Sequence, residues 1–286
     1  MNSDPQTFES YRPLLFSIAY RMLGSAMEAE DMVQEAYLQY RNAEDVHSPK
    51  AFLTTVVTRL CLDQLKSART QRENYVGTWL PEPLSTSDLP SDVVSEHESI
   101  AMAFLVLLEN LTPAERAVFL LREVFDYDYA EIASIVGKRE ANCRRYYHRA
   151  KQFLLERRPR FEPTSAEKTK LVESFIEAIG SGNVEDLTHL LAEDVVLYGD
   201  GGGKAPAAGH PISGQTAVVK VLLGYYRLMP SDARLEFAEV NAAPSLLMWQ
   251  KDQLVDVMNF RIEDNQIKSI HNVSNPDKLT YLQSHH

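Results

Sequence analysis

A chain of 286 residues with 44% hydrophobic content has length enough for two or three domains, each with its own core. A net charge of −11 excludes a protein that simply coats nucleic acid, so any such contact must be local. With Cys61 and Cys143 alone there is neither a disulfide framework nor a cysteine-rich zinc site, and without a bilayer-length apolar run or a signal-peptide pattern a cytoplasmic location is expected.

Phe8, Tyr11, Leu15, Ile18, Ala19 and Met22 form a helical stripe ending near Gly24-Ser25. Ala29, Val33, Ala36, Tyr37 and Tyr40 form a second, with Glu28, Glu30, Asp31 and Glu35 on an acidic outer face. Ser48-Pro49 supplies a cap and a first-turn proline for a third helix. Its Leu53, Val56, Val57 and Leu60 point inward, and Lys50, Arg59, Lys66, Arg69 and Arg72 give it a basic outer side. From about Asn74 to Ser95 the prolines of Trp79-Leu80-Pro81-Glu82-Pro83 and of position 90 forbid helix, and small polar residues favour extended chain. The segment is predicted to be an acidic linker, in which the indole of Trp79 needs something to pack against.

Thr112-Pro113-Ala114-Glu115 is a capping box with a first-turn proline, and it opens a helix carrying Ala117, Leu120, Leu121 and Val124 inward. After Phe125-Asp126-Tyr127-Asp128 the pattern resumes at Ala130, Ile132, Ala133 and Val136, and Gly137 makes a turn. In the next helix, roughly Arg139 to Leu155, Cys143, Tyr147, Ala150 and Leu154 share one apolar stripe, while Arg144, Arg145, His148, Arg149 and Lys151 make the remaining surface basic. Lys138, Arg139, Arg157, Arg158 and Arg160 extend the charge. Two helices about a glycine turn, the second basic on its open face, are the parts of a helix-turn-helix DNA reader; a solvated basic helix in an ordinary bundle is the plainer alternative. In the reader geometry Glu140, Ala141 and Asn142 face base edges, Asn142 being suited to adenine, and Arg144, Arg145 and Arg149 hold phosphates.

Beyond about Pro163, helices at Lys170 to Ile179 and Val184 to Leu191 lead to a strand at Val195 to Tyr198 and a helix at Gln215 to Leu228. Strand-like runs follow at Arg234 to Val240, Leu246 to Gln250, Leu254 to Arg261 and Gln266 to Val273, which is the order of an α+β layer structure.

Three of these segments carry a family likeness. Ala29-Glu30-Asp31-Met32-Val33-Gln34-Glu35-Ala36 resembles the core-binding helix of bacterial sigma factors. Ser48-Pro49-Lys50-Ala51-Phe52-Leu53 through Lys66 resembles their minus-ten reader, and Leu111 to Leu155, with His148-Arg149-Ala150-Lys151, their minus-thirty-five reader. The spacing is similar to that of the compact extracytoplasmic-function group. The third part resembles SnoaL-like domains, and the motifs Trp79 to Pro83, Asp200-Gly201-Gly202-Gly203-Lys204 and Asn275-Pro276-Asp277-Lys278-Leu279 match the sigma subgroup bearing such an extension.

The resemblance implies two all-α sigma domains, a region 2 bundle at 1–73 and a region 4 helix-turn-helix at 96–160. A proline-rich linker at 74–95 joins them, and a C-terminal α+β SnoaL-like cone occupies 163–286. It implies binding to RNA polymerase core through Asp31, Gln34 and Glu35, and to minus-ten promoter DNA through Lys50, Arg59, Lys66 and Arg69. Minus-thirty-five contacts fall to Glu140, Asn142, Arg144, Arg145, His148, Arg149 and Lys151. Regulation in cis falls to Trp79, Pro81, Glu82, Asp200, Gly202, Lys204, Asn275, Asp277 and Lys278. No cofactor is implied, the free chain is expected to be a monomer, and a cone of this kind has an internal pocket that could take a small ligand. Arg139 departs from the family pattern, which more often has a serine or threonine cap there, so the start of the reading helix is open.

Other chemistries fit less well. Asp200 to Lys204 lacks the spacing of a phosphate loop, and a glycine-dependent contact surface for the linker is preferred. Asp256, His210, His271 and Tyr198 are candidates for acid-base work, with Asp256 the one a pocket would shift, yet no pair stands at a diagnostic spacing. No metal-ligand pattern is present. The expectation is therefore a sigma factor rather than an enzyme, the alternatives being a stand-alone helix-turn-helix regulator and a SnoaL-type isomerase or cyclase fused to a DNA-binding module.

Overall fold

In a computed structural model, residues 5–86, 100–156 and 165–285 are described, and they gather into two compact units. Unit 1 draws on residues 1–74, 87–100 and 104–158, and unit 2 on residues 75–86, 101–103 and 159–286. The proposed linker residues 87–95 and the arginines at 157, 158 and 160 lie outside the described set. No described helix is long and apolar enough to cross a membrane.

The first half of unit 1 is three helices, α1 (Pro5–Leu23), α2 (Ala26–Asn42) and α3 (Pro49–Glu73). Their apolar stripes meet as the periodicity predicts: Leu15, Ile18, Ala19 and Met22 pack with Ala29, Val33, Ala36, Leu53 and Val57, all essentially buried. Ser25 caps α2 by accepting from the Glu28 amide at 3.1 Å. The other half follows α4 (Met102–Leu108) and comprises α5 (Pro113–Glu123), α6 (Tyr129–Val136) and α7 (Glu140–Leu155). Capping boxes Thr112/Glu115 and Asp128/Glu131 start α5 and α6, and Gly137 ends α6 at φ 64°, where a side chain would be strained.

The two halves of unit 1 are joined by polar contacts that the sequence did not announce. Arg116 of α5, 3% exposed, donates to the Met22 carbonyl at the end of α1 at 2.5 Å and to Glu109 at 2.7 Å. Burial pulls its guanidinium down to about 9, which leaves it charged at neutral pH. Tyr127 bonds Thr54 of α3 at 2.9 Å, and Arg21 lies over the Phe125 ring.

Unit 2 is a six-stranded sheet of order β2-β1-β6-β5-β4-β3, with β1 (Leu191–Asp200), β2 (Ile212–Ser213), β3 (Ala233–Val240), β4 (Ala243–Gln250), β5 (Gln253–Glu263) and β6 (Gln266–Val273). β1 runs parallel to β6 and the remaining pairs are antiparallel. The three tight turns Asn241-Ala242, Lys251-Asp252 and Asp264-Asn265 all have positive φ at both residues, the hairpin geometry that matches strand twist. Residues of α8 (Ser165–Ser181), α9 (Val184–Leu190) and α10 (Gln215–Arg227) share a core with the sheet, including Phe175, Leu187, Val218, Met258, Phe260 and Ile270. α11 (Pro276–His285) closes the unit and packs on β5.

Replacing Arg116 with alanine removes the guanidinium that the Met22 carbonyl and the Glu109 carboxylate share. Urea unfolding of the full chain is expected to show a loss of roughly 2–4 kcal/mol, and hydrogen exchange at the end of α1 should accelerate.

Candidate nucleic-acid and polymerase interfaces

α2 exposes Asp31, Gln34 and Glu35 on one face, because the core stripe of Ala29, Val33, Ala36 and Tyr40 occupies the other. The same face carries Met27 and Leu38, 48% and 49% exposed, at positions that with Asp31 and Gln34 make an i, i+4, i+7, i+11 line. The ridge is therefore mixed acidic and apolar. Sequence reasoning passed over these two residues, although their being out of phase with the core stripe was the available signal.

On α3 the expected basic contacts have different surroundings. Lys50 lies over the Tyr127 ring, and Lys66 is exposed and paired with Asp63 at 2.6 Å. Arg59 donates to the carbonyls of Ser134 and Ile135 at 2.9 and 3.0 Å, so its guanidinium serves as a C-terminal cap for α6 in this arrangement. Arg69 lies in α3 with its side chain outside the described set. An open groove of about 540 Å³ runs past Phe52, Thr55, Val56, Arg59 and Asp63 beside Gln39 of α2.

α7 buries Cys143, Tyr147, Ala150 and Leu154, the predicted stripe, and turns its cations outward. It begins at Glu140, with Arg139 at the cap making no side-chain cap bond, which leaves Glu140 and Ala141 exposed and Asn142 half-buried in the first turn. The cations divide into two sets. Arg149 pairs with Glu115, and Lys151 bonds Glu123 at 3.1 Å and Tyr147 at 2.8 Å, both drawn back toward α5. Arg144 pairs with Glu140 at 2.6 Å and stacks 4.3 Å above Tyr129, whereas Arg145, near Asn142 at 3.4 Å, and His148 stand on the open side.

In unit 2 the segment 75–86 is built into the domain around Asp200, which is 0% exposed at the end of β1. Its carboxylate accepts from the Tyr75 hydroxyl at 2.5 Å, the Leu80 amide at 2.8 Å, the Gly202 amide at 3.1 Å and the Lys278 ammonium at 2.7 Å. Lys278, 7% exposed, also donates to the Leu80 carbonyl and lies 4.2 Å from the centre of the Trp79 ring. Burial and the hydrogen bond to Asp200 push the Tyr75 phenol well above its usual range, so it acts as a donor. Asn275 donates to that hydroxyl at 2.8 Å, and Lys204 pairs with Asp277.

Gly202 sits at φ 57°, and a Cβ there would come within 2.2 Å of the Asn275 carboxamide and 3.0 Å of the Tyr75 hydroxyl. The glycine run is thus a close-approach surface for this segment. Pro81, Glu82, Pro83 and Leu84 are buried, and Leu84 exchanges bonds with Asn241, taking its amide at 2.9 Å and donating to its Oδ1 at 3.1 Å. Tyr75 and Asn241 were not singled out from sequence: a tyrosine and a hairpin asparagine carry no motif of their own.

The acid-base candidates are not assembled. Strand alternation puts Tyr198 and His271 on one face, stacked 5.2 Å apart, and Asp256 and Asn272 on the other. His210 is exposed in a loop. Burial, with Arg261 adding to it, pulls the His271 imidazole down to about 3, so it is neutral. No group of residues that could hold a metal occurs among the described residues.

Residues 7–71 match the family model Sigma-70 region 2, and residues 101–154 match Sigma-70, region 4. The chain is 34% identical to the ECF RNA polymerase sigma factor SigJ of Mycobacterium tuberculosis, over 96% of this chain and 92% of that one. It is 32% identical to a probable ECF RNA polymerase sigma factor, SigI, of the same species, over 97% and 95%. The crystal structure of Mycobacterium tuberculosis SigJ superposes with a TM-score of 0.77 at 30% identity, covering 97% of this chain and 98% of that chain.

Two outcomes are expected. Asp200→Ala leaves the Lys278 ammonium buried without its carboxylate, which costs about 3–5 kcal/mol; protease cutting within 75–86 should speed up and Trp79 emission shift to the red, with Asp200→Leu/Lys278→Met recovering part of the loss. His271 has a folded value below its unfolded one, so its stabilisation is present above about pH 6.5 and lost as pH falls toward 3. The stability difference between the wild type and His271→Phe should therefore shrink by roughly 1.4 kcal/mol per pH unit between pH 6 and 4, as read by thermal unfolding of the two proteins in parallel.

Proposed function

The chain belongs to the extracytoplasmic-function RNA polymerase sigma factors, and on that premise we propose which of its surfaces meet the polymerase and the promoter. It is an alternative sigma factor that binds core polymerase and directs promoter-specific initiation, with its activity modulated in cis by the C-terminal SnoaL-like domain. The domain division we adopt is 1–73 for core and minus-ten binding, 74–95 for the linker, 96–160 for the minus-thirty-five reader and 163–286 for regulation.

The mixed ridge of α2 is the core-polymerase surface in this reading, with Asp31, Gln34 and Glu35 supplying charge and hydrogen bonds, and Met27 and Leu38 apolar anchors. The groove beside Phe52 suits an unstacked base, since an aromatic face accepts any base by stacking. Arg59 can join the minus-ten contacts once it leaves the α6 carbonyls, an exchange of two backbone acceptors for phosphate.

One observation carries the minus-thirty-five assignment. The cations of α7 are sorted, with Arg149 and Lys151 held by carboxylates of α5, Arg145 beside Asn142, and His148 exposed further along the helix. Asn142 then reads a base edge, and Arg145 and His148 bind phosphate.

The motifs around Asp200 are the regulatory contact: a segment between the two readers in sequence is held by residues of the C-terminal domain. We assign the chain no reaction of its own, RNA synthesis being the polymerase's, and the split of Asp256 and His271 across the sheet argues against an acid-base pair.

Transcription reconstituted with core polymerase tests the assignment. Leu38→Asp should weaken association with core about tenfold, the value of roughly 1.4 kcal/mol for one lost apolar anchor. Arg145→Ala should lower the salt slope of holoenzyme binding to promoter DNA by about 1, and Asn142→Ala should relax sequence preference at one position with the slope unchanged. Core association of Leu38→Asp equal to wild type would remove α2 from the interface, and an unchanged slope for Arg145→Ala would remove its phosphate contact.

A further inference from the structure

β3 lies at one edge of the unit 2 sheet. Its register against β4 runs from Ala233 to Val240 without a bulge, and it contains no proline, so it lacks two of the devices that stop a strand edge from pairing further.

Which of its backbone groups face outward follows from the hairpin. The turn Asn241-Ala242, with positive φ at both residues, closes on the pair Val240 and Ala243, and the residues flanking such a turn exchange both of their hydrogen bonds. Alternation then commits Val240, Ala238, Glu236 and Arg234 to β4, and turns the amides and carbonyls of Glu239, Phe237, Leu235 and Ala233 outward. The end near the turn is occupied: Ser85 bridges to Val240, and the Thr86 hydroxyl donates to the outward Glu239 carbonyl at 3.2 Å. Among the described residues no strand pairs with the rest of this edge.

The side chains along the open stretch are sorted by face. Leu235 and Phe237 lie opposite Met248 and Leu246, on the side of the sheet that the helices cover. Phe237 is nevertheless 40% exposed, and Leu228, in the turn from α10 into β3, is 84% exposed. Large apolar groups kept in water beside an unpaired backbone edge mark an interaction surface. On the other face Arg234 and Glu236 pair with each other at 2.7 Å, their side chains 62% and 28% exposed.

We propose that β3 pairs antiparallel with β3 of a second copy of this chain, about a two-fold axis through Leu235, joining two sheets into one. Charge and occupancy select that register. An axis through Arg234 or Glu236 sets a like charge directly opposite itself. An axis through Phe237 makes the Glu239 carbonyl, already held by Thr86, a ladder acceptor, and an axis through Ala233 runs off the start of the strand. Through Leu235, Arg234 of each copy faces Glu236 of the other, Leu235 meets its own counterpart through both backbone bonds, Phe237 packs beside Ala233, and Glu239 stays clear. This departs from the monomer expected from sequence. The pairing draws on unit 2 alone, so it is independent of the polymerase and promoter assignments.

Sedimentation velocity of the full chain at rising concentration tests it. The wild type should move toward the dimer as concentration rises. Arg234→Glu and Glu236→Arg each set like charges opposite one another twice per dimer, and each alone should weaken self-association by about tenfold or more, with the thermal unfolding profile retained. An equimolar mixture of the two variants restores opposite charges in both facing pairs, so it should associate as the wild type does, and Arg234→Glu/Glu236→Arg in one chain should do the same. A wild type that stays monomeric at every concentration leaves the edge to a strand of some other protein and overturns the proposal. So does self-association that neither single variant weakens, or a mixture that associates no better than its components.

Discussion

Taking a carboxylate and an ammonium out of water costs several kcal/mol for each ion, and the cost is offset only where every remaining hydrogen-bonding position is also filled. Asp200 and Lys278 meet that condition by recruiting the segment 75–86. The segment adds the Leu80 amide and the Tyr75 hydroxyl to the Gly202 amide and Lys278 around Asp200, and it gives Lys278 the Leu80 carbonyl and the rings of Trp79 and Tyr75. The pair thus depends on the segment for its remaining bonds, and the segment is held at one end by the pair and at the other by Leu84 and Asn241. Gly202 and Asn275 complete the arrangement by letting the backbone come close enough for Tyr75 to be held from two sides. Sequence-distant motifs become one object because none of them can be buried alone.

Unit 1 follows a comparable economy of charge. Its surface is rich in arginine and lysine, yet several of these cations are committed within the fold: Arg116 to the end of α1, Arg59 to the end of α6, Arg149 and Lys151 to α5. What remains outward on α7 is a smaller set than the sequence suggests, centred on Asn142, Arg145 and His148. Fewer free cations release fewer counterions, so that sorting weakens any electrostatic binding to DNA at large.

The helical and strand periodicities were legible because each element buries one face. The stripe Cys143, Tyr147, Ala150, Leu154 and the strand runs from Arg234 to Val273 emerge nearly where the pattern puts them. Caps were legible for the same local reason, Thr112 with Glu115 being an interaction among four consecutive residues. The two-residue β2 and the helix α11 were not, the first being too short for a pattern and the second starting at a motif valued for its charges. Nor were the partners of Arg116, Arg59 and Asp200 readable, because a long-range hydrogen bond to a backbone carbonyl leaves no trace in the type of residue that accepts it. The separation of Tyr198 and His271 from Asp256 follows from simple alternation, but only once the register between strands is known.

The contact between Tyr75 and Asn275 spans 200 positions of the chain. A ribosome adding about 5–20 residues per second therefore makes Asn275 roughly 10–40 s after Tyr75, and by then all of the residues that form unit 1 have been synthesised. Late in that interval a nascent chain has every residue of unit 1 but not yet the asparagine that holds Tyr75 from its second side, so the newborn molecule passes through a period in which this fastening does not exist.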